Sequence, residues 1–131
     1  MKLLVLVICL LCPLTTKAAD ARLINALVQV ESSGRDKVVG DAGKAYGALQ
    51  IHAGMVEDVN RIYGTAYTHK DMFDRNKAID VCHKYLAFYG SEKRLGHAPT
   101  PEDHARIWNG GPAGWKRKAT QGYWAKVRRH L

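Results

Sequence analysis

The chain contains little cysteine and has no long apolar run beyond its first residues. Its three cysteines are Cys9, Cys12 and Cys82, and only Cys82 lies far from the N terminus. A single cysteine over the rest of the chain excludes a disulfide framework, so stability must come from packing. No run reaches roughly 20 apolar residues, the length that a membrane-spanning helix needs. Internal repeats, low-complexity segments and long linkers are also missing, which favours one globular domain.

The first residues have the pattern of a secretory signal peptide. A positive start at Lys2 precedes an apolar run over 3–14, and small residues follow up to Ala18. We predict that residues 1–18 are a signal peptide cleaved after Ala18, with cleavage after Ala19 as the alternative. The C-x-x-C pair inside this segment is discarded as a redox or metal motif, because it is removed with the segment. We therefore expect an exported protein, either periplasmic or secreted.

The remaining residues, 19–131, form a basic chain. Without Lys2 and Lys17, 18 basic and 12 acidic residues give a net charge of +6. Such a balance favours anionic partners. Because we expect export, we predict contact with the wall or a membrane surface and no nucleic-acid partner. The six histidines have no metal-ligand spacing, so we predict neither a metal nor another cofactor.

Glycines and prolines divide residues 19–131 into segments of helical length, whose apolar residues recur at helical spacing. The pattern predicts an all-α or nearly all-α single domain of about five to six helices. Residues 35–46 are predicted to be a loop, and 65–69 a short extended piece. The predicted helices begin near Asp20, Gly47, Asn76, Thr100 and Thr120, and the first four end near Gly34, Gly64, Gly90 and Gly110.

Glu31 is the strongest candidate for a reactive group. It follows Leu27 by four residues and Val28 by three, which attaches its carboxyl group to the apolar face of the first helix. Partial burial and the negative end of a helix both disfavour a carboxylate and raise its pKa. A general acid working near neutral pH needs such a pKa. The alternative is a surface acid at a fraying helix end, but the small, polar residues 32–34 favour the floor of a cleft.

Three motifs carry a resemblance to a known family. Glu31-Ser32-Ser33-Gly34 is followed by Gly47-Ala48-Leu49-Gln50 and then by Ile107-Trp108-Asn109-Gly110-Gly111. In this order they resemble the family 1 lytic transglycosylases, the SLT-type domain of the lysozyme-like superfamily. The family typically has Glu-Ser, Gly-Leu-Met-Gln and Ala-Tyr-Asn-Ala-Gly at these places. Trp108 keeps an aromatic surface where the family has tyrosine, but lacks the hydroxyl.

The resemblance implies a reaction on peptidoglycan glycan strands. Glu31 would act first as acid and then as base at the bond between N-acetylmuramic acid and N-acetylglucosamine, and would form a 1,6-anhydro end. It also implies contact with the substrate for seven residues. They are Ser32, Gly47, Leu49, Gln50, Trp108, Asn109 and Tyr123.

Some of these roles have structural alternatives. Trp108 also fits a core position, and Asn109 fits a turn residue before Gly110. Tyr123 also fits a contact that packs the last helix on the first. Asp41 keeps a water-using, lysozyme-type hydrolase open, although a turn-forming role near Gly43 is the simpler interpretation.

Two further alternatives concern the protein as a whole. One is a cationic wall-binding protein without catalysis. The other concerns the process that the protein serves. A small enzyme without a wall-binding module resembles those that open the wall for secretion or conjugation machinery. It equally resembles those that remodel the wall in general. We expect a monomer in either setting.

Overall fold

The computed structural model describes residues 19–131, and the predicted signal peptide lies outside them. Their regular structure consists of six α-helices and one two-stranded sheet, with short 3₁₀ segments between them, which confirms the predicted nearly all-α fold. No helix among the described residues is long and apolar enough to cross a membrane. The elements are α1 (Ala21–Ser32), β1 (Val39–Gly40), β2 (Ala45–Tyr46), α2 (Ala53–Tyr63), α3 (Arg75–Tyr89), α4 (Glu92–Leu95), α5 (Pro101–Gly110) and α6 (Gln121–Val127).

Capping residues set the ends of α1 and the start of α5. The Asp20 carboxylate accepts a hydrogen bond from the Leu23 backbone N–H at 2.8 Å and so begins α1. Ser33, with a left-handed φ of 54°, ends α1 one residue before the expected Gly34. Thr100 and Asp103 form a capping box at the start of α5. These local signals are in the sequence, which is why both starts were predicted closely.

Residues 35–52 differ from the prediction. The expected loop contains an antiparallel hairpin in which Val39 pairs with Tyr46, and Gly40 with Ala45. The second helix does not begin at residues 47–50, because Tyr46 exchanges two backbone hydrogen bonds of 3.0 Å with Ile51 and thereby closes 47–50 into a turn. α2 therefore starts only at Ala53.

Two smaller expectations are also corrected. Residues 65–68 have no regular structure, and His69 begins a 3₁₀ helix over His69–Phe73 rather than ending an extended piece. The Asn60 side chain fixes this segment, because its amide donates to the Tyr67 carbonyl at 2.8 Å and accepts from the Tyr67 N–H at 3.0 Å. The short helix α4 was not predicted.

The core lies between the long helices. α3 packs against α2 and α5, while α1 packs against α5 and α6. Cys82 of α3 is a free thiol within this core. The arrangement brings the C-terminal end of α1 next to α3 and α6. Fully buried side chains include Leu27, Leu49, Ile51, Val81, Leu86, Ile107 and Val127.

Candidate active site

Glu31 occupies the last turn of α1, where its side chain is largely withdrawn from solvent. Burial raises the pKa of this carboxyl group above its ordinary value of 4.5. A hydrogen bond from the Tyr123 hydroxyl acts in the opposite direction and lowers the same pKa. The net direction is upward, so Glu31 holds its proton at a higher pH than an exposed glutamate does. This is the property that a proton donor requires.

Tyr123 of α6 positions this acid. Its hydroxyl donates a hydrogen bond of 2.8 Å to Glu31 Oε1, across 92 positions of the chain. Burial raises the pKa of Tyr123, so its hydroxyl stays protonated and remains a donor. The structure therefore brings Tyr123 to Glu31 directly, in addition to packing α6 on α1.

An open cavity of about 640 Å³ lies beside Glu31. Its size is within the range of ligand-binding clefts. The wall combines carboxylates, amides and aromatic rings, the groups that bind sugar hydroxyls and sugar faces. It is formed by Glu31, Asp41, Ala45, Gln50, His52, Gly54, Met55, Asp58, Tyr85, Trp108, Asn109 and Gly111.

The hairpin contributes a second carboxylate to this wall. Asp41 Oδ2 lies 3.0 Å from His52 Nε2, and 61% of the Asp41 side chain is exposed. Asp41 and Ala42 have left-handed φ values of 48° and 53°, so the tip of the hairpin is a tight turn. Asp41 is thus both the turn former expected from its neighbours and a group that faces the cavity. The described residues contain no cluster of three or more His, Cys, Asp or Glu side chains suited to a metal ion.

The end of α5 contributes Trp108 and Asn109. Trp108 is largely buried and meets the Tyr85 ring edge to face, with ring centroids 5.7 Å apart. Trp108 belongs to the core and also lines the cavity. Its position therefore fits both the core role and the predicted contact with substrate. Asn109 is exposed and also lines the cavity.

Gln50 lines the cavity while its amide holds the hairpin. Its Nε2 donates to the Gly47 carbonyl at 3.0 Å and to the Val38 carbonyl at 3.3 Å. Its Oε1 fills the space above Gly40, where an added Cβ would lie only 2.1 Å away. The side chain therefore supports the wall that Asp41 occupies.

Four of the seven predicted substrate-binding residues lie outside the cavity wall: Tyr123, which bonds to Glu31, and three others. Ser32 is buried, donates to the Val28 carbonyl at 3.1 Å and accepts from the Arg35 N–H at 3.2 Å. Gly47, with φ +81°, passes so close to Met72 that an added Cβ would lie 1.9 Å from its carbonyl oxygen. Leu49 is fully buried in the core. Each of the three supports the residues around the cavity in this structure.

Sequence reasoning missed several residues of the wall. His52 at the N-cap of α2, and Met55 and Asp58 within the helix, recur every three residues, a spacing that indicates one helix face. Met55 has the spacing of an apolar core residue of this helix, and Asp58 has that of an exposed acid. Tyr85 follows Cys82 by three residues on α3, and its periodicity is that of a core residue.

A small, mostly helical domain with a buried carboxylic acid beside an open polar cavity has the architecture of a lysozyme-like enzyme. The transglycosylase SLT domain model matches residues 12–125, so the chain belongs to this family. The comparison with curated proteins finds no match.

Solved lysozyme structures have the same fold. A chain in the crystal structure of Aeromonas hydrophila PliI in complex with Meretrix lusoria lysozyme is 25% identical with a TM-score of 0.72, and the match covers 85% of this chain and 89% of that one. Inhibitor-bound lysozyme from Meretrix lusoria gives the same four values. Tapes japonica lysozyme is 21% identical with a TM-score of 0.71, over 84% of this chain and 89% of that one. The family and these neighbours together support a peptidoglycan-cleaving glycosidase.

Proposed function

We propose that the protein is a peptidoglycan lytic transglycosylase that uses Glu31 as its acid and then as its base. The observation that carries this proposal is the partly buried Glu31 carboxyl group beside the cavity, with its pKa raised and its Oε1 held by Tyr123. Membership of the SLT family supports the same reaction. The substrate is the glycan strand of peptidoglycan.

In the first step, Glu31 gives its proton to the oxygen that links N-acetylmuramic acid to N-acetylglucosamine. The bond from the anomeric carbon to this oxygen breaks, and N-acetylglucosamine leaves with a new hydroxyl group. The acetamido oxygen of the N-acetylmuramic acid unit forms a bond to the anomeric carbon and meets the developing positive charge. Participation of the substrate in this way is a known exception to the use of two enzyme carboxylates.

In the second step, the Glu31 carboxylate removes the proton from the 6-hydroxyl group of the same sugar. The freed oxygen attacks the anomeric carbon and displaces the acetamido oxygen, which leaves a 1,6-anhydro ring. Glu31 regains its proton, and no water is consumed. The Tyr123 hydroxyl stays bonded to Oε1 and keeps the carboxyl group oriented through both steps.

Product analysis tests this proposal. Purified sacculi are digested with the protein, and the released muropeptides are treated with borohydride and analysed by mass spectrometry. We expect 1,6-anhydro ends, which borohydride does not reduce. Glu31→Gln should lower the rate by about 10²–10⁴-fold, the contribution of a general acid, whereas Glu57→Gln, an exposed change on α2, should keep it. Full activity of Glu31→Gln would contradict the assignment.

A lysozyme-type hydrolase is the second candidate, and the position of Asp41 favours it. Asp41 lines the same cavity as Glu31 and is paired with His52, so a second carboxylate is available to assist a water molecule. The structural neighbours are lysozymes as well. Reducible ends in the borohydride experiment would select this candidate over the transglycosylase.

We also propose that the protein is exported and acts in the periplasm or outside the cell. The support is the sequence of residues 1–18, which lie outside the described residues. N-terminal sequencing of the protein purified from a Gram-negative host should give Ala19 as the first residue. A protein that retains Met1 after fractionation with the cytoplasm would contradict export.

A further inference from the structure

Tyr85 is a buried tyrosine whose hydroxyl group has no hydrogen-bond partner in the part of the chain that the structure describes. Only 4% of the residue is exposed, and it contributes to the wall of the Glu31 cavity. Among residues 19–131, no hydrogen bond engages the Tyr85 hydroxyl, yet every fully buried polar side-chain atom there has a partner. The hydroxyl therefore belongs to the small exposed part of the residue, and the cavity is the space that it meets.

Other tyrosines of the domain make the contrast clear. Four of them use the hydroxyl within the protein: Tyr63 donates to the Lys84 carbonyl, Tyr67 to Asp80, Tyr89 to Asp58 and Tyr123 to Glu31. Buried tyrosine hydroxyls usually find a partner. Tyr46 also has no partner for its hydroxyl, but it is only half-buried and lies outside the cavity wall.

The Tyr85 ring is fixed in place. It meets Trp108 edge to face at 5.7 Å and Tyr89 at 4.8 Å between ring centroids. Burial raises the pKa of Tyr85 to about 12, so its hydroxyl is neutral and can donate and accept at neutral pH. A rigid ring that presents one unpaired hydroxyl loses little conformational entropy when it binds a ligand.

Tyr85 lies in the same cavity wall as Glu31. Cys82 lies near Glu31, since the Glu31 charge adds to burial in raising the pKa of its thiol. Tyr85 follows three residues later, about 4.5 Å further along the helix axis. A glycan strand that occupies this cavity can therefore contact both Glu31 and Tyr85.

Asp58 makes the same part of the wall polar. Its carboxylate accepts hydrogen bonds from Tyr89 and, at 2.6 Å, from Arg61. These bonds lower the pKa of Asp58, which keeps it ionised as an acceptor beside the cavity.

We propose that Tyr85 is a specificity-determining residue, whose hydroxyl forms a hydrogen bond with an oxygen of the glycan strand bound in the cavity. The inference rests on the proposed function, because it requires a glycan strand in the cavity. It assigns Tyr85 to binding and leaves the proton transfers to Glu31.

Steady-state kinetics on soluble glycan strands, prepared by amidase treatment of peptidoglycan, test this inference. Tyr85→Phe removes the hydroxyl alone and keeps the buried ring. We expect KM to rise about threefold to tenfold, the value of one hydrogen bond, with kcat within twofold and Tm unchanged. Tyr63→Phe is the matched control, because its hydroxyl lies outside the cavity wall, and it should keep the wild-type KM.

Each outcome separates the inference from the proposed function. An unchanged KM in folded Tyr85→Phe, or a loss confined to kcat, would overturn the role of Tyr85 while the function of Glu31 stands. A wild-type protein that leaves the strands intact would overturn the proposed function itself, and the inference with it. A rise in KM for Tyr85→Phe but not for Tyr63→Phe would support the inference.

Discussion

The Tyr123 hydroxyl donates a hydrogen bond of 2.8 Å to Glu31 Oε1, which joins α6 to the acid at the end of α1. Burial and this hydrogen bond act in opposite directions on the pKa of Glu31, and burial is the larger effect. The bond also fixes one carboxyl oxygen, which leaves the other to face the substrate. In the proposed mechanism Tyr123 is therefore a positioning residue that also tunes the pKa of Glu31.

Removal of the Tyr123 hydroxyl should change the pH dependence of the reaction. In Tyr123→Phe, burial of Glu31 is no longer opposed by the hydrogen bond, so the pKa of Glu31 rises further. In the proposed mechanism Glu31 acts in its protonated form, so the decline of kcat/KM at high pH should move to higher pH. We also expect kcat to fall about tenfold from lost orientation.

A pH–rate profile of Tyr123→Phe beside Tyr67→Phe checks this. Tyr67 also donates its hydroxyl to a carboxylate, Asp80, but outside the cavity wall, so its variant should keep the wild-type profile. If kcat/KM of Tyr123→Phe declines at the same pH as that of the wild type, Tyr123 does not tune the pKa of Glu31.

Replacement of Glu31 by glutamine should stabilise the fold in a pH-dependent way. The folded protein binds the Glu31 proton more tightly than the unfolded chain does, because its pKa is raised above 4.5. The wild type therefore loses stability as pH rises from about 4.5 towards the folded pKa. A glutamine at this position does not titrate, so it adds no pH dependence to stability. Its side-chain oxygen can still accept a hydrogen bond from the Tyr123 hydroxyl.

Thermal melts at two pH values measure the difference. At pH 7, Glu31→Gln should melt roughly a few degrees above the wild type, and below pH 4.5 the two should converge. Glu57→Gln, at an exposed position, controls for the general loss of one negative charge. A variant that is less stable than the wild type at pH 7 would show that the carboxylate is not disfavoured by burial.

The two proposed reactions make different demands on Asp41. A transglycosylase needs no second carboxylate, so we expect Asp41→Asn to keep activity within about tenfold of the wild type. A hydrolase that depends on Asp41 would lose about 10²-fold or more. Asp36→Asn is the matched control, because Asp36 lies in the same segment but pairs with Arg75 at 2.7 Å outside the cavity wall. Sacculus digestion with the two variants gives the comparison.

Gly47→Ala should destabilise the domain. The new methyl group would lie 1.9 Å from the Met72 carbonyl oxygen, at a backbone φ of +81° that favours glycine. Overpacking and strain of this kind cost about 1–3 kcal/mol each. Gly122→Ala on α6 is the control, because nothing lies within 4 Å of its added methyl group and alanine favours a helix by about 1 kcal/mol. Urea denaturation of both variants should give opposite signs, and two equal values would contradict the packing argument.

The sequence predicted the parts of the fold that depend on local signals. Asp20, Thr100 and Pro101 set helix starts through contacts within the next turn, so their effects can be recognised without a structure. Glu31 was recognisable because an acid stands at an apolar position of an amphipathic helix. The resemblance of the motifs also predicted that Glu31, Trp108 and Asn109 lie in one cavity.

The remaining features depend on contacts between distant residues. The hairpin at 39–46 is held by the Gln50 amide, which bonds to the Val38 and Gly47 carbonyls, and no local propensity indicates that bond. Tyr85 has the periodicity of a core residue, and only the packing of α3 against α5 brings it to the cavity. The Asp58–Tyr89 contact likewise joins two helices across 31 positions.

Under the proposed function, the contact between α6 and Glu31 makes activity depend on α6 staying folded against α1. α6 has only seven residues and one fully buried side chain, Val127, so its detachment needs less free energy than unfolding of the whole domain. Once α6 leaves, Glu31 loses Tyr123 and part of its cover from water, and its pKa returns towards that of a free glutamate. On heating, activity should therefore be lost at a lower temperature than the one at which most of the helices unfold.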